Sequence, residues 1–158
     1  MQNTQQITIR EARPEDGKAM MALVRELALY EKSPESVTVS DEHFMESGFG
    51  ANPVWWALVA SVVNEEGEEQ VIGFALYYIR YSTWKGQRLY LEDIIVTEAW
   101  RGRKVGAQLM DRLIDTAKAK GFSGMMWQVL DWNEPAIRFY RKYKTHFDNE
   151  WINVSMEL

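Results

Sequence analysis

An α/β fold around one mixed sheet is the class this sequence predicts, and three observations lead to it. Short runs with strand patterning alternate along the chain with amphipathic helical stripes. Two of the runs flank a short charged turn, as the arms of an antiparallel hairpin do. A brief, largely apolar run at 125–130 follows a helical stripe, as a strand buried on both faces does.

Taken in order, residues 6–10 alternate apolar and polar side chains and predict a first strand. Pro14, Glu15 and Asp16 then carry the composition of a helix start. Met20, Leu23, Val24 and Leu27 follow at three- and four-residue spacings, so a helix is expected to about Glu31. Residues 41–46 predict a short second helix, ended by Gly48 and Gly50. Residues 55–63 and 71–81 predict two strands joined through a charged turn containing Gly67. Residues 89–96 predict a third long strand. Val105, Leu109, Leu113, Ile114 and Ala117 form a helical stripe that Gly121 closes. After the apolar run at 125–130, Ala136, Phe139, Tyr140 and Tyr143 predict another helix, with Asn133 as its N-cap. Residues 151–156 alternate again and predict a last strand. The expected order is β-α-α-β-β-β-α-β-α-β in one domain over residues 1–158, with no repeat or linker.

The composition narrows the chemistry. Hydrophobic residues at 46% and charged residues at 26% suit a globular domain that needs no staples. With no Cys, thiolate catalysis, disulfides and Cys-ligated zinc are excluded. The only His residues, His43 and His146, are far apart, so no metal site is expected. No apolar run reaches the ~18 residues of a membrane span. The start of the chain is polar and lacks the layout of a signal peptide, so a cytoplasmic location is expected. A net charge of -5 argues against nucleic acid, which needs a basic stripe. The basic residues gather at 101–104 and 138–144, clusters that suit a small polyanion. The acidic remainder suits a cationic partner.

Two segments carry chemistry. In the first, the strand ending Ile94-Ile95-Val96 leads through Trp100-Arg101-Gly102-Arg103-Lys104 into a helix beginning Val105-Gly106-Ala107. Helix N-termini expose unpaired N–H groups and a partial positive charge, and glycines let a ligand come close. This reads as a pyrophosphate cradle, and equally as an ordinary solvated basic loop. In the second, Asp131-Trp132-Asn133-Glu134-Pro135-Ala136 opens the helix that bears Tyr140. A Tyr on an apolar helical face is by itself more often a core residue.

Together these segments resemble the GNAT acetyltransferase superfamily. That family's Arg/Gln-x-x-Gly-x-Gly/Ala motif falls on Arg101 to Gly106, with Lys104 standing where the family has its first glycine. Further stretches resemble the diamine branch, which includes spermidine/spermine and thialysine acetyltransferases. They are Glu26-Leu27-Ala28-Leu29-Tyr30-Glu31, Gly48-Phe49-Gly50, Gly73-Phe74-Ala75-Leu76-Tyr77-Tyr78, Tyr81-Ser82-Thr83-Trp84-Lys85-Gly86, Leu89-Tyr90-Leu91-Glu92-Asp93 and Trp132-Asn133-Glu134-Pro135. The likeness runs from about Ile7 to Trp151. Residues 82–86 and 130–133 resemble the thialysine enzymes more; polyamine-preferring members commonly have an acidic residue at Ser82. A second departure is Lys144-Thr145-His146-Phe147, where the family has a glycine, so an altered loop is expected there.

The resemblance implies a mostly antiparallel, twisted mixed sheet flanked by helices, with strands splayed at an acetyl-CoA site. It implies acetyl-CoA as co-substrate, no metal, a small cationic amine as acceptor and a homodimer. Seven Trp in a chain this size fit an aromatic subunit interface. It assigns Glu92 as general base, acting through water, and Tyr140 as general acid. Ile94, Ile95 and Val96 would bind pantetheine, with the Ile94 N–H on the oxyanion. Arg101 to Ala107 would take the pyrophosphate, and Asn133, with the adjoining Glu134, Pro135 and Ala136, the pantetheine side. Tyr30 and Glu31 would contact the amine, with Ser82, Trp84, Asp93, Gln128 and Glu150 as further contacts. Two alternatives remain open: an acetyltransferase for a protein lysine or an antibiotic amine, and a non-catalytic acetyl-CoA sensor.

Overall fold

A computed structural model of the chain describes residues 5–158. The polar start therefore lies in part, at residues 1–4, outside the described residues. The chain divides into two compact units, Met1–Trp127 and Gln128–Leu158.

The first unit is a five-stranded sheet with helices on both faces. In chain order it comprises β1 (Thr8–Glu11), α1 (Gly17–Tyr30), α2 (Asp41–Phe49), β2 (Trp56–Val63), β3 (Glu69–Ser82), β4 (Gly86–Val96), α3 (Val105–Ala119) and β5 (Met125–Met126). The strands lie in sequence order, with β1 to β4 antiparallel and β5 parallel to β4. The sheet is thus mixed and mostly antiparallel, as expected.

α1 packs on α2, β3 and β4, and α3 packs on β1 to β4 from the other side. Met20 and Leu23 from the predicted α1 stripe, with Met21 beside them, meet Phe44, Trp55, Phe74, Leu76 and Ile95 in one core cluster, and Val24 and Leu27 of the stripe pack against it. Trp55 stacks on Phe44 at 4.7 Å and meets Phe49 edge-on at 5.2 Å. A Cβ at Gly48 would lie 2.0 Å from the Trp55 ring, so that motif glycine lets the indole approach the α2 backbone. The α3 stripe buries Val105, Leu109, Met110, Leu113 and Ala117. Gly121, at φ +72°, closes α3 as predicted: its N–H reaches Lys118 O and the Phe122 N–H reaches Ala117 O.

One internal ion pair fastens the start of α1 to the sheet. Arg10 on β1 grips Asp16 with two hydrogen bonds, 2.8 and 2.9 Å, and also reaches Glu69 at 2.8 Å. Asp16 further accepts the Arg13 N–H at 2.7 Å. Pro14–Asp16 is a separate 3-10 turn, so α1 begins three residues later than Pro14 suggests.

The second unit holds α4 (Glu134–Arg141). Asn133 caps it, as predicted, accepting the Ala136 N–H at 3.4 Å. The Thr145 hydroxyl donates to Tyr140 O at 3.1 Å, a contact at the helix end where the family's glycine is missing.

Two strand expectations fail. The strand expected over 125–130 covers only Met125–Met126, because the ladder to β4 consists of Leu89↔Met125 and Tyr90↔Met126 and then stops. The strand expected over 151–156 does not form. Alternation sorts side chains to two faces, but a strand also needs a ladder partner, and this segment has none among the described residues; Trp151 is 79% exposed and Val154 92%.

Candidate active site

The site begins with an irregularity in β4. Leu76 of β3 faces Asp93, and Tyr77 faces Leu91, so Glu92 is the extra residue of a β-bulge. In a regular strand, neighbouring side chains point to opposite faces. Here Asp93 sits opposite Leu76, and Tyr78, two residues on from Leu76, sits opposite Tyr90, which places all four on the α1 face. The Glu92 charge acts on the Tyr78 phenol and on Asp93, so the bulge brings Glu92 toward that face too. Two carboxylates adjacent in sequence thus share one side of the sheet.

Glu31, at the end of α1, joins them. Asp93 is pushed up to about 6 by burial first, then by the charges of Glu92 and Glu31. Burial also raises Glu31. None of the three makes a salt bridge among the described residues. Tyr78 and Tyr90 stack at 4.9 Å beside them, and Arg80 lies 5.9 Å from the Tyr90 ring. Burial raises both phenols, and the Glu92 charge adds to it.

The same bulge re-aims the backbone. Before it, the Leu89 N–H donates to Gly124 O on the β5 side, at 3.0 Å. After it, the Thr97 N–H donates to Ile72 O on the β3 side, at 2.9 Å. A regular strand would turn Leu89 and Thr97 the same way, being an even number of residues apart. The extra residue inverts the alternation, so Ile95 turns its backbone groups toward β3 and Ile94 and Val96 turn theirs away. Because β5 stops pairing at Met126, no strand of the sheet covers that edge of β4.

β4 leads through a 3-10 turn, Glu98–Trp100, into the basic loop. Arg101 donates from Nε to Val96 O at 3.1 Å and lies 5.2 Å from the Tyr30 ring. Arg103 lies over Trp100 at 4.7 Å. Gly102 has φ +73° and Lys104 φ +64°. Position 104 is therefore left-handed backbone, which explains why a glycine suits it and what its replacement costs. Lys104 makes no side-chain cap, and the first helical bond runs from the Gln108 N–H to Lys104 O. The N–H groups of Val105, Gly106 and Ala107 precede that ladder and face outward from the helix start. Uncovered strand backbone followed by a helix N-terminus with nearby cations is a donor set that fits a pantetheine arm and a pyrophosphate.

Of the remaining expected residues, Ser82 and Trp84 lie at the β3–β4 turn, and Gln128, Asn133 to Ala136, Tyr140 and Glu150 lie in the second unit. Ser82 caps the β3–β4 turn, accepting the Trp84 N–H at 3.2 Å and the Lys85 N–H at 3.1 Å. Trp84 at that tip is 88% exposed. Asp93 and the hairpin end at Gly86 are about 20 Å apart at ~3.3 Å per residue. One chain therefore does not bring Ser82 and Trp84 to the carboxylates. In the second unit, Gln128 donates to Asn153 Oδ1 at 2.9 Å, and the Glu150 N–H donates to Asp148 at 2.9 Å. Tyr140 is buried there, with the Phe139 ring 5.5 Å away. The hollow beside α1, lined among others by Glu15, Asp16, Glu69 and Gln70, includes none of the expected residues. Among the described residues there is no cluster suited to a metal ion, and no helix is long and apolar enough to cross a membrane.

Sequence reasoning missed Tyr78, Tyr90 and Arg80. Their one signal is that 78, 80, 90 and 92 share the even phase of two paired strands. It also missed Glu26, whose carboxylate meets Thr97 and Glu98.

A bulged, splayed sheet with a basic loop opening a helix defines a class: acyl transferases that hold their donor by strand backbone and helix start. Residues 18–144 match the acetyltransferase (GNAT) family, and the chain belongs to that family as an N-acetyltransferase. Thialysine N-epsilon-acetyltransferase from Bos taurus is 41% identical over 138 residues, covering 85% of this chain and 81% of its own length. Spermidine/spermine N(1)-acetyltransferase-like protein 1 from Homo sapiens is 34% identical over 84% of this chain and 19% of its own length. Among solved structures, the aminoglycoside N-acetyltransferase AAC(6')-Iy in complex with CoA superposes with a TM-score of 0.76 at 17% identity, covering 100% of this chain and 99% of that one. At that identity the likeness speaks for the fold.

Proposed function

We propose that this enzyme acetylates a primary amine on a small cationic metabolite, of the thialysine, polyamine or diamine kind, with acetyl-CoA as donor. The observation that carries the reading is the convergence of Glu31, Glu92 and Asp93 on one face with no salt bridge of their own among the described residues. Such a cluster is complementary to an alkylammonium. The thialysine relatives, similar over most of both chains, support the same substrate class.

An alkyl amine has a pKa near ~10.4 and arrives protonated. Asp93 and Glu31 hold the cation, and Glu92 removes one proton through water. The freed lone pair attacks the thioester carbonyl, and the Ile94 N–H, turned to the open edge of β4, stabilises the oxyanion. Collapse breaks the C–S bond, and Tyr140 protonates the departing thiolate. The products are the N-acetyl amine, CoA and one proton. Ile94 to Val96 and Asn133 hold the pantetheine arm. The loop from Arg101 to Ala107 holds the pyrophosphate. The family match spans residues of both units, which supports their working as one domain. A homodimer in the cytoplasm completes the reading, with the exposed Trp84 and Tyr81 as candidates for the subunit contact.

The test is acetyl-CoA turnover over a panel of thialysine, lysine, spermidine, spermine and short diamines, together with a peptide lysine and an aminoglycoside. Turnover with the small diamine-like substrates, slowed about 10²–10⁴-fold by Glu92→Gln, is expected. Tyr140→Phe is expected to slow single turnover while acetyl-CoA affinity holds. Preference for the peptide or the aminoglycoside would move the enzyme to another acceptor class. Tight acetyl-CoA binding with no CoA release from any amine would make it a sensor. A monomer by light scattering would remove the dimer.

A further inference from the structure

The α1 helix and the basic loop are joined at one carboxylate that has no part in the chemistry above. Glu26, one turn before Tyr30, accepts the Thr97 hydroxyl at 3.0 Å and the Glu98 N–H at 2.9 Å. Its other neighbour is Arg101, whose Nη2 lies 3.6 Å away. These contacts span more than 70 residues of sequence.

Their arrangement is that of a cap supplied from a distance. A short helical turn leaves its first N–H groups unpaired, and normally the residue before it closes one with its own side chain. Thr97 occupies that position but makes no such cap. It spends its hydroxyl proton on Glu26, and Glu26 takes the Glu98 amide in its place. A carboxylate on a backbone amide is a charge-assisted bond, stronger than a neutral cap. The same carboxylate helps hold Arg101, which also reaches Val96 O and the Tyr30 ring. Arg101 is thereby a strut between β4, α1 and the loop, and Gly102 to Lys104 start from a fixed point.

We propose that Glu26 is a positioning residue for acetyl-CoA. It holds the Glu98–Trp100 turn and Arg101 so that the loop and the first amides of α3 stand ready for the pyrophosphate. This rests on the assignment of the pyrophosphate to the loop from Arg101 to Ala107.

Steady-state kinetics and NMR titration of the full chain with CoA test it. Glu26→Ala should raise KM for acetyl-CoA about tenfold while kcat stays within about twofold, because the reacting groups are untouched. Glu26→Gln, which keeps an acceptor for the Glu98 N–H but loses the charge, should recover part of that loss, to about threefold. Thr97→Val, a milder change should Glu26→Ala not fold, should also raise KM about threefold. An unchanged KM in the folded variants would overturn the proposal. So would a fall in kcat and melting temperature with KM for acetyl-CoA constant, which is the mark of a purely structural contact. CoA should shift the Gly102 and Gly106 amide signals of the wild type. If it does not, the loop assignment itself fails. If it does, and Glu26→Ala titrates with the same affinity, only the role of Glu26 fails.

Discussion

The two ends of α1 carry carboxylates under opposite electrostatic conditions. Near its start, Asp16 is buried but gripped by Arg10 and by the Arg13 amide. Burial alone would raise its pKa, yet the Arg10 hydrogen bonds and the backbone amide outweigh it and hold the group below the usual carboxylate range. At the far end, Asp93 lies near Glu31 and beside Glu92, none of the three in a salt bridge among the described residues, and it rises to about 6. The chain neutralises one acidic position internally and leaves the other to be answered from outside. The first pattern belongs to a fold that must close, and the second to a site awaiting a cation.

The contrast predicts different costs. Asp16→Ala should remove about 3 kcal/mol of stability, read from urea melts, since among the described residues Arg10 then keeps the exposed Glu69 as its one carboxylate partner, beside the Glu11 carbonyl. A loss under about 1 kcal/mol would show that the pair is not what holds β1 to α1. Asp93→Asn should act the other way on stability and strongly on function. It removes a charge that burial and two neighbouring acids disfavour, so the protein should melt higher at pH 8. Meanwhile kcat/KM for the amine should drop about 10–100-fold, the worth of a charged contact at close range. A variant that melts lower at pH 8 would break the comparison.

The pH windows also differ in sign. The contribution of Asp16 is present above the unfolded carboxylate pKa of about 4 and is lost as pH falls below it. That of Asp93 is present below about 4 and is lost as pH rises through about 6. Binding follows the ionised form, so kcat/KM should rise through a pKa near 6, and that limb should vanish in Asp93→Asn. A limb that persists in the variant would assign it to another group.

How far these two regions were legible in the sequence differs for a physical reason. The α1 and α3 stripes, the β2–β3 hairpin, the Gly121 closure and the Asn133 cap are local: each is set by spacing or by backbone needs within a few residues. Glu92 and Asp93 entered through the resemblance alone, which gave them their roles. In a regular strand neighbours point to opposite faces, and only the pairing with β3 reveals the bulge that joins these two. The strand expected at 151–156 failed for the complementary reason: its side-chain pattern is strand-like, but a ladder is a property of two segments. Ser82 looked like a substrate contact by position, whereas its hydroxyl closes a turn. Glu26 was invisible as more than part of a motif because its partners lie more than 70 residues downstream.

The smallest expected effect concerns Lys104, where fold and site make competing demands on one residue. Its φ of +64° disfavours any side chain, by about 1 kcal/mol relative to glycine, while its charge at the start of α3 favours an anion. Two substitutions separate the demands. Lys104→Ala removes the charge and keeps the strained backbone; Lys104→Gly removes both. Both should raise KM for acetyl-CoA by a similar factor of about 2–3, because the lost charge is common to them. Only Lys104→Gly should also gain stability, about 1 kcal/mol above Lys104→Ala in denaturant melts. Equal stability of the two variants would mean that the loop relaxes out of the left-handed region when the lysine is absent. A KM that rises in Lys104→Ala but returns to the wild-type value in Lys104→Gly would mean that the shape of the loop, rather than the lysine charge, governs the grip on the pyrophosphate.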